Sequence, residues 1–163
     1  MGVTKLANTL KIEVKEAKAL KDKYFEVFPK IKVLMESLAE EAKAKKFAYS
    51  PLDGRRRDLS YIDWDHPRQV GGALNQAKNF PFQGCGASTT KKAMILIRDE
   101  IRKYNLDARI INVVHDEILY EVHKTQAERV AQIVQLKMIE AFNFYAPDVP
   151  MVVKPEIGLK WIH

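Results

Sequence analysis

Cysteine is nearly missing from this chain: Cys85 is the single one among 163 residues. One thiol excludes an internal disulfide and a zinc cage built from several cysteines, and it fits a reducing compartment. Long apolar runs are missing as well, since no stretch approaches the ~20 residues needed to cross a bilayer. The opening Met1-Gly2-Val3-Thr4-Lys5-Leu6 lacks the apolar core of a signal peptide, and Leu6 stands where a myristoylation motif requires Ser or Thr. These absences predict a cytoplasmic protein with no membrane role. Acidic charge is in deficit: 27 Lys and Arg face 21 Asp and Glu, a net +6. A basic excess suits a nucleic-acid partner, although a merely solvated basic surface gives the same count. Repeats, low-complexity tracts and linkers are also lacking, so residues 1–163 are expected to form one domain with a core of its own.

What is present reads as helices alternating with short strands. Ala17, Leu20, Tyr24 and Phe28 recur at helical spacing from Val14 to Phe28, and Pro29 breaks that segment or opens the next. Ile31, Leu34, Met35, Leu38 and Ala42 form a second stripe that ends in Lys43-Ala44-Lys45-Lys46. Phe47–Ser50 predicts a short strand, and Pro51-Leu52-Asp53-Gly54 supplies turn chemistry. Arg55-Arg56-Arg57 follows at once. Three adjacent arginines cannot all face an interior, so they serve either as guanidinium forks for phosphates or as a solvated loop. His66-Pro67 can open a helix that Pro81 interrupts, with a longer helix from about Gln83 to Tyr104 carrying Ala87, Met94, Ile97 and Ile101. Gly84, Gly86 and Ala87 let another backbone or a nucleic-acid strand approach, or simply permit tight helix packing.

Ile110–Val114 is apolar on both faces, as in a strand covered from both sides. Ile118–Val122 returns from it. Thr125-Gln126-Ala127-Glu128 has capping-box spacing for a last helix bearing Val130, Ile133, Val134, Met138 and Phe142. Pro147–Pro150 reads as a loop and Met151-Val152-Val153 as a final short strand. Together these elements predict an α+β fold.

His115-Asp116-Glu117 stands where the two apolar strands meet. Two adjacent carboxylates there would lose solvation without a compensating partner. Hard oxygen ligands suit magnesium or manganese, which points to a metal-carrying hairpin tip. His115 could instead cap the turn, and Gln83 could be an ordinary residue at a helix start. His66 and His123 read as surface residues, and Cys85 as a small packing residue.

Val114-His115-Asp116-Glu117-Ile118, preceded by Asn79-Phe80-Pro81-Phe82-Gln83-Gly84 and a long helix, resembles the C-terminal part of the family A DNA polymerases. Tyr24-Phe25 with Phe28-Pro29 is similar to the family's Tyr-Phe…Tyr-Pro segment. Gly54-Arg55-Arg56-Arg57 matches its Gly-Arg-Arg-Arg loop, Lys91 with Ala93-Met94 its Lys-x-Ala-Met, and Trp161-Ile162-His163 its terminal segment, which often ends in histidine near the active site. Nearly the whole chain takes part, in the right order. The resemblance implies a palm-type antiparallel hairpin or sheet packed with several helices, incomplete relative to the full family domain, together with part of the fingers.

It also implies template-dependent nucleotidyl transfer by two metal ions, normally Mg2+, held by two aspartates. Asp116 matches the second of these aspartates, and Glu117 a neighbouring polar or weak metal contact. His115 is expected near the primer terminus. Gln83 and Asn79 match residues that touch the minor groove of primer-template DNA, and Arg55, Arg56 and Arg57 lie near nucleic acid or brace the palm. At Asn75 or Gln76 the family often has arginine, whose loss weakens a DNA contact, and Ser88 replaces a common aspartate.

The first metal-binding aspartate, in an Asp-Tyr-Ser-like motif, has no counterpart in 1–163, nor does the nucleotide-binding helix. Gly2 matches the glycine that ends that helix. The expectation is therefore a chain that does not extend primers alone. It would be the downstream piece of a split polymerase, a truncated product or a fragment, taking dNTP only when a partner chain supplies the rest of palm and fingers. The competing expectation is a non-catalytic DNA-binding module or remnant of a palm. A nuclease built on Asp116 and Glu117 is disfavoured, because two-metal nucleases need more carboxylates.

Overall fold

A computed structural model describes residues 2–161; Ile162 and His163 of the terminal motif lie outside the described residues. The elements run α1 (Val3–Leu10), α2 (Val14–Val27), α3 (Pro29–Lys45), β1 (Phe47–Tyr49), β2 (Arg56–Asp58), α4 (Pro67–Lys103), β3 (Ala108–Val114), β4 (Glu117–Val122), a 3-10 turn at Lys124–Gln126, and α5 (Ala127–Asn143). The fold is α+β, with two separate two-stranded antiparallel sheets, β1–β2 and β3–β4. Two compact units divide after Pro81.

In the first unit, α1 is an element the hydrophobic pattern did not announce. It stops at Lys11, which takes a left-handed φ of 56° while its N–H returns to the Ala7 carbonyl. Glu13 and Glu16 then form a reciprocal capping box at the start of α2. Phe28 leaves the helical region and Pro29 occupies the first turn of α3, where its missing N–H costs nothing. Lys46, also left-handed, ends α3 and turns the chain into β1. The core of this unit is built from Ala42, Ala48, Leu59, Ala73 and Ala77. Leu59 is fully enclosed, and four alanines around one leucine allow backbones to approach closely. Trp64 covers the cluster, donates its indole N–H to the Leu59 carbonyl at 3.2 Å and carries the Lys46 ammonium 4.0 Å over its ring.

In the second unit, Ala93, Ile97, Ile101, Leu106, Val130 and Ala141 form the core, with Ile118, Tyr120, Val122 and Met138 packed against it. The buried positions 93, 97 and 101 are the i, i+4 stripe of an amphipathic helix. Ala87, expected on that stripe, is exposed instead.

Four local expectations are corrected. Pro81 does not interrupt the helix, because α4 runs through it from Pro67 to Lys103. Proline removes one helical donor, but burial of Ala73 and Ala77 before it and of Cys85 and Ala93 after it keeps both flanking stretches helical. Thr125 does not cap α5, since its hydroxyl pairs with His123 Nδ1 at 2.8 Å and a 3-10 turn leads into the helix. Met151–Val153 forms no strand, and the Val153 carbonyl accepts from Gln135 Nε2 at 2.8 Å. Finally, β3 is not covered on both faces: Ile111 and Val113 are exposed by 56% and 38%.

Candidate nucleic-acid interface and metal-binding hairpin

β3 and β4 pair from Ala108↔Val122 to Val114↔Glu117, leaving His115 and Asp116 as a two-residue tip. Short connections of this kind favour positive φ at a central position. His115 supplies it at 54°, a region that costs a non-glycine residue roughly 1–2 kcal/mol. A register shift between Ile110 and Asn112 inserts one extra residue into β3. A bulge kinks its strand and re-aims the side chains beyond it. In consequence Ile111, Asn112 and Val113 are all exposed instead of alternating.

Asp116 projects into solvent at the tip, and Glu117 is half-buried at the start of β4. Glu117 Oε1 accepts the indole N–H of Trp161 at 3.2 Å. Nothing local in the sequence signals this link, because the partners are 44 residues apart. As hard oxygen donors, Asp116 and Glu117 fit one side of a magnesium shell, in which water commonly fills several positions. Among the described residues no group of three or more His, Cys, Asp or Glu side chains could hold a metal ion.

Arg55, Arg56 and Arg57 of the first unit have separate tasks. Asp53, whose side chain is only 4% exposed, pairs with Arg55 Nε at 3.2 Å and accepts the Arg55 backbone N–H at 3.3 Å. Gly54 bridges them at a φ of 71°, and Arg55 is thereby part of the turn. The Arg56 guanidinium lies 5.0 Å over the Phe47 ring on the adjoining strand. Arg57, exposed and opposite Ala48, makes no ion pair or ring contact among the described residues, so it is the arginine free to meet an external anion. Just beyond, Asp58 accepts from the Ser60 backbone N–H at 2.9 Å and from its hydroxyl at 3.0 Å, and the backbone bond foremost holds its carboxyl below the usual 3.8.

Asn79 is exposed on α4 and folds its amide back onto the Asn75 carbonyl at 2.9 Å, while Gln83 is exposed one turn further along the helix. The predicted residues thus fall into two sets, Arg55–Arg57 with Asn79 in the first unit, and Gln83 with His115, Asp116 and Glu117 in the second. Ser88, in place of a common aspartate, is buried on α4.

An exposed carboxylate on a strained hairpin tip, a long helix before it and a basic turn upstream define the class: residues 1–163 match DNA polymerase family A. The chain belongs to that family. It is 36% identical over 156 residues to DNA polymerase I of Bacillus caldotenax, covering 96% of this chain and 17% of that protein. With DNA polymerase I of Pseudomonas aeruginosa the identity is 34% over 161 residues, covering 99% of this chain and 17% of the relative. Among solved structures, the POL domain of Pol1 from M. smegmatis, in complex with DNA primer-template and dNTP, superposes with a TM-score of 0.78 at 32% identity, over 86% of this chain and 24% of that one. The chain therefore spans about a fifth of these relatives. No described helix is long and apolar enough to cross a membrane.

Proposed function

We propose that this chain supplies the C-terminal palm and part of the fingers of a template-dependent DNA polymerase, and that it works only when joined to the remainder of that domain. The observation that carries the reading is Asp116: an exposed carboxylate fixed at the tip of a two-residue hairpin, in a chain that matches the polymerase family from end to end. Asp116 ligates a divalent cation, and Glu117 stands beside it as a weaker contact. Magnesium, when bound, supplies charge neutralisation and activation of the primer 3′-hydroxyl. His115, at the same tip, faces the primer terminus. Gln83 and Asn79 offer amides to acceptors in the minor groove, where donors read both strands without base specificity. Arg57 contacts a backbone phosphate, while Arg55 and Arg56 brace the turn.

The exposed apolar residues Ile111 and Val113 on β3 support a partner segment, because side chains of that kind are normally covered. That segment would carry the first metal-binding aspartate and the clamp for the incoming triphosphate.

The test mixes this chain with a polypeptide holding the upstream polymerase region and follows primer extension in magnesium. Extension above that of either piece alone, abolished by Asp116→Ala, is the expected result. No gain over the upstream piece sinks the proposal. Primer-template binding by the isolated chain that survives Asp116→Ala, without complementation, would favour a non-catalytic DNA-binding module instead.

A further inference from the structure

Away from the hairpin tip, the last turns of α4 and the start of β3 border an open cleft of about 270 Å3, floored by Ile101 and Ile110. Four polar side chains line it: Arg98, Arg102, Arg109 and Tyr120. Arginine cannot lose its proton in a protein and offers only donors. The Tyr120 hydroxyl oxygen is enclosed and has no hydrogen-bond partner among the described residues. Burial pushes its pKa up, so it stays a protonated phenol with an O–H to give. The cleft therefore presents three guanidiniums, with an unpartnered phenol enclosed behind its lining, and what fills it must be rich in acceptors and negatively charged.

Neighbouring carboxylates only partly meet this demand. Arg98 is bound by the adjacent Asp99 at 2.8 Å, and Arg109 reaches Asp107 at 3.4 Å and Glu121 at 3.9 Å. These pairs are well exposed, the Arg109 side chain by 67%, and exposed pairs of this kind are weak and exchange readily. Arg102 has no ion pair among the described residues, and none of these carboxylates bonds the Tyr120 hydroxyl.

We propose that this cleft binds a phosphate group. A carboxylate has two oxygens and one charge, which a single guanidinium fork satisfies. Three guanidiniums match the additional oxygens and higher charge of a phosphate. The phosphate is that of a free anion such as pyrophosphate or of the 5′ end of a DNA strand, and both offer the same chemistry to the same three guanidiniums.

The test is a titration of the full chain, followed by amide NMR, with inorganic phosphate, pyrophosphate, and a short single-stranded oligonucleotide with or without a 5′-phosphate. Saturable shifts at residues 98–102 and 108–110 are expected from pyrophosphate or from the 5′-phosphorylated strand, and whichever binds tighter identifies the source. Arg102→Gln should weaken binding about tenfold, the effect of one charge-assisted hydrogen bond. Glu121→Gln should tighten it by releasing Arg109. Lys32→Gln, in the first unit, serves as a control and should change nothing. If Arg102→Gln binds pyrophosphate as the parent does, or if Lys32→Gln weakens it as much as Arg102→Gln, the site is refuted in favour of diffuse basic charge.

Discussion

Trp161 donates its indole N–H to Glu117 Oε1 at 3.2 Å, tying the end of the described chain to the strand that leaves the hairpin tip. The contact orients a carboxylate beside Asp116 and is half open to solvent, since Trp161 is 50% exposed. Trp161→Phe keeps the ring but removes the donor. The expected cost is about 1 kcal/mol in unfolding free energy, the usual net value of one hydrogen bond. Urea unfolding followed by circular dichroism checks it, and an unchanged midpoint would mean that the bond contributes nothing to stability.

His115 occupies a left-handed conformation at the tip. His115→Gly relieves the strain and should leave stability unchanged or raise it slightly, while His115→Val adds a β-branched side chain where it fits worst and should cost about 1–2 kcal/mol more than glycine. A difference of opposite sign in urea midpoints would show that the turn is not strained at this residue.

Leu59 is the one large side chain fully enclosed by the alanine-rich core of the first unit. Leu59→Ala leaves a cavity that small neighbours with short side chains cannot refill. A loss of about 3–5 kcal/mol is expected by thermal or urea unfolding. A loss below about 1 kcal/mol would show that the surrounding helices collapse inward.

Arg55 and Arg57 should separate by assay. Arg57→Ala should lower the dependence of DNA affinity on salt concentration by about one unit of log–log slope with no change in stability. Arg55→Ala removes the guanidinium that pairs with the nearly enclosed Asp53 carboxylate, so it should reduce stability and leave the slope intact. Equal slopes for Arg57→Ala and the parent would remove Arg57 from the interface.

Asp58 gives the chain a pH dependence of known sign. Its carboxyl is held low chiefly by the Ser60 backbone N–H. A lowered folded-state pKa means that the ionised form is favoured in the folded chain, so this contribution is present above 3.8 and lost as pH falls through the lower folded value. Asp58→Ala should therefore be less stable at neutral pH and show a shallower decline as pH falls below 3.8. Carbon-detected NMR titration of Asp58 giving a value above 3.8 would reverse the argument.

Much of this was legible in the residues. The stripes of α2, α3 and α5 appeared as helical periodicity, and the alternation from strand to tip to strand located His115 and Asp116 before any coordinates. Those readings rest on interactions within a few residues, which local sequence records. Pro81 misled because helix continuity there depends on burial before and after it, and no single residue carries that information. The missing strand at Met151–Val153 failed for a related reason: β propensity needs a neighbouring strand edge, and Gln135 took the Val153 carbonyl instead.

The amino-acid sequence alone determined the family, the helices α2, α3 and α5, the β3–β4 hairpin and the chemical types at the tip, because motif spacing and apolar period are properties of the chain. The tertiary structure decided which of Arg55, Arg56 and Arg57 is free, that Trp161 holds Glu117, and that Arg98, Arg102 and Arg109 line one cleft. Those outcomes depend on which distant side chains the packing brings together, and a linear order of residues does not specify that.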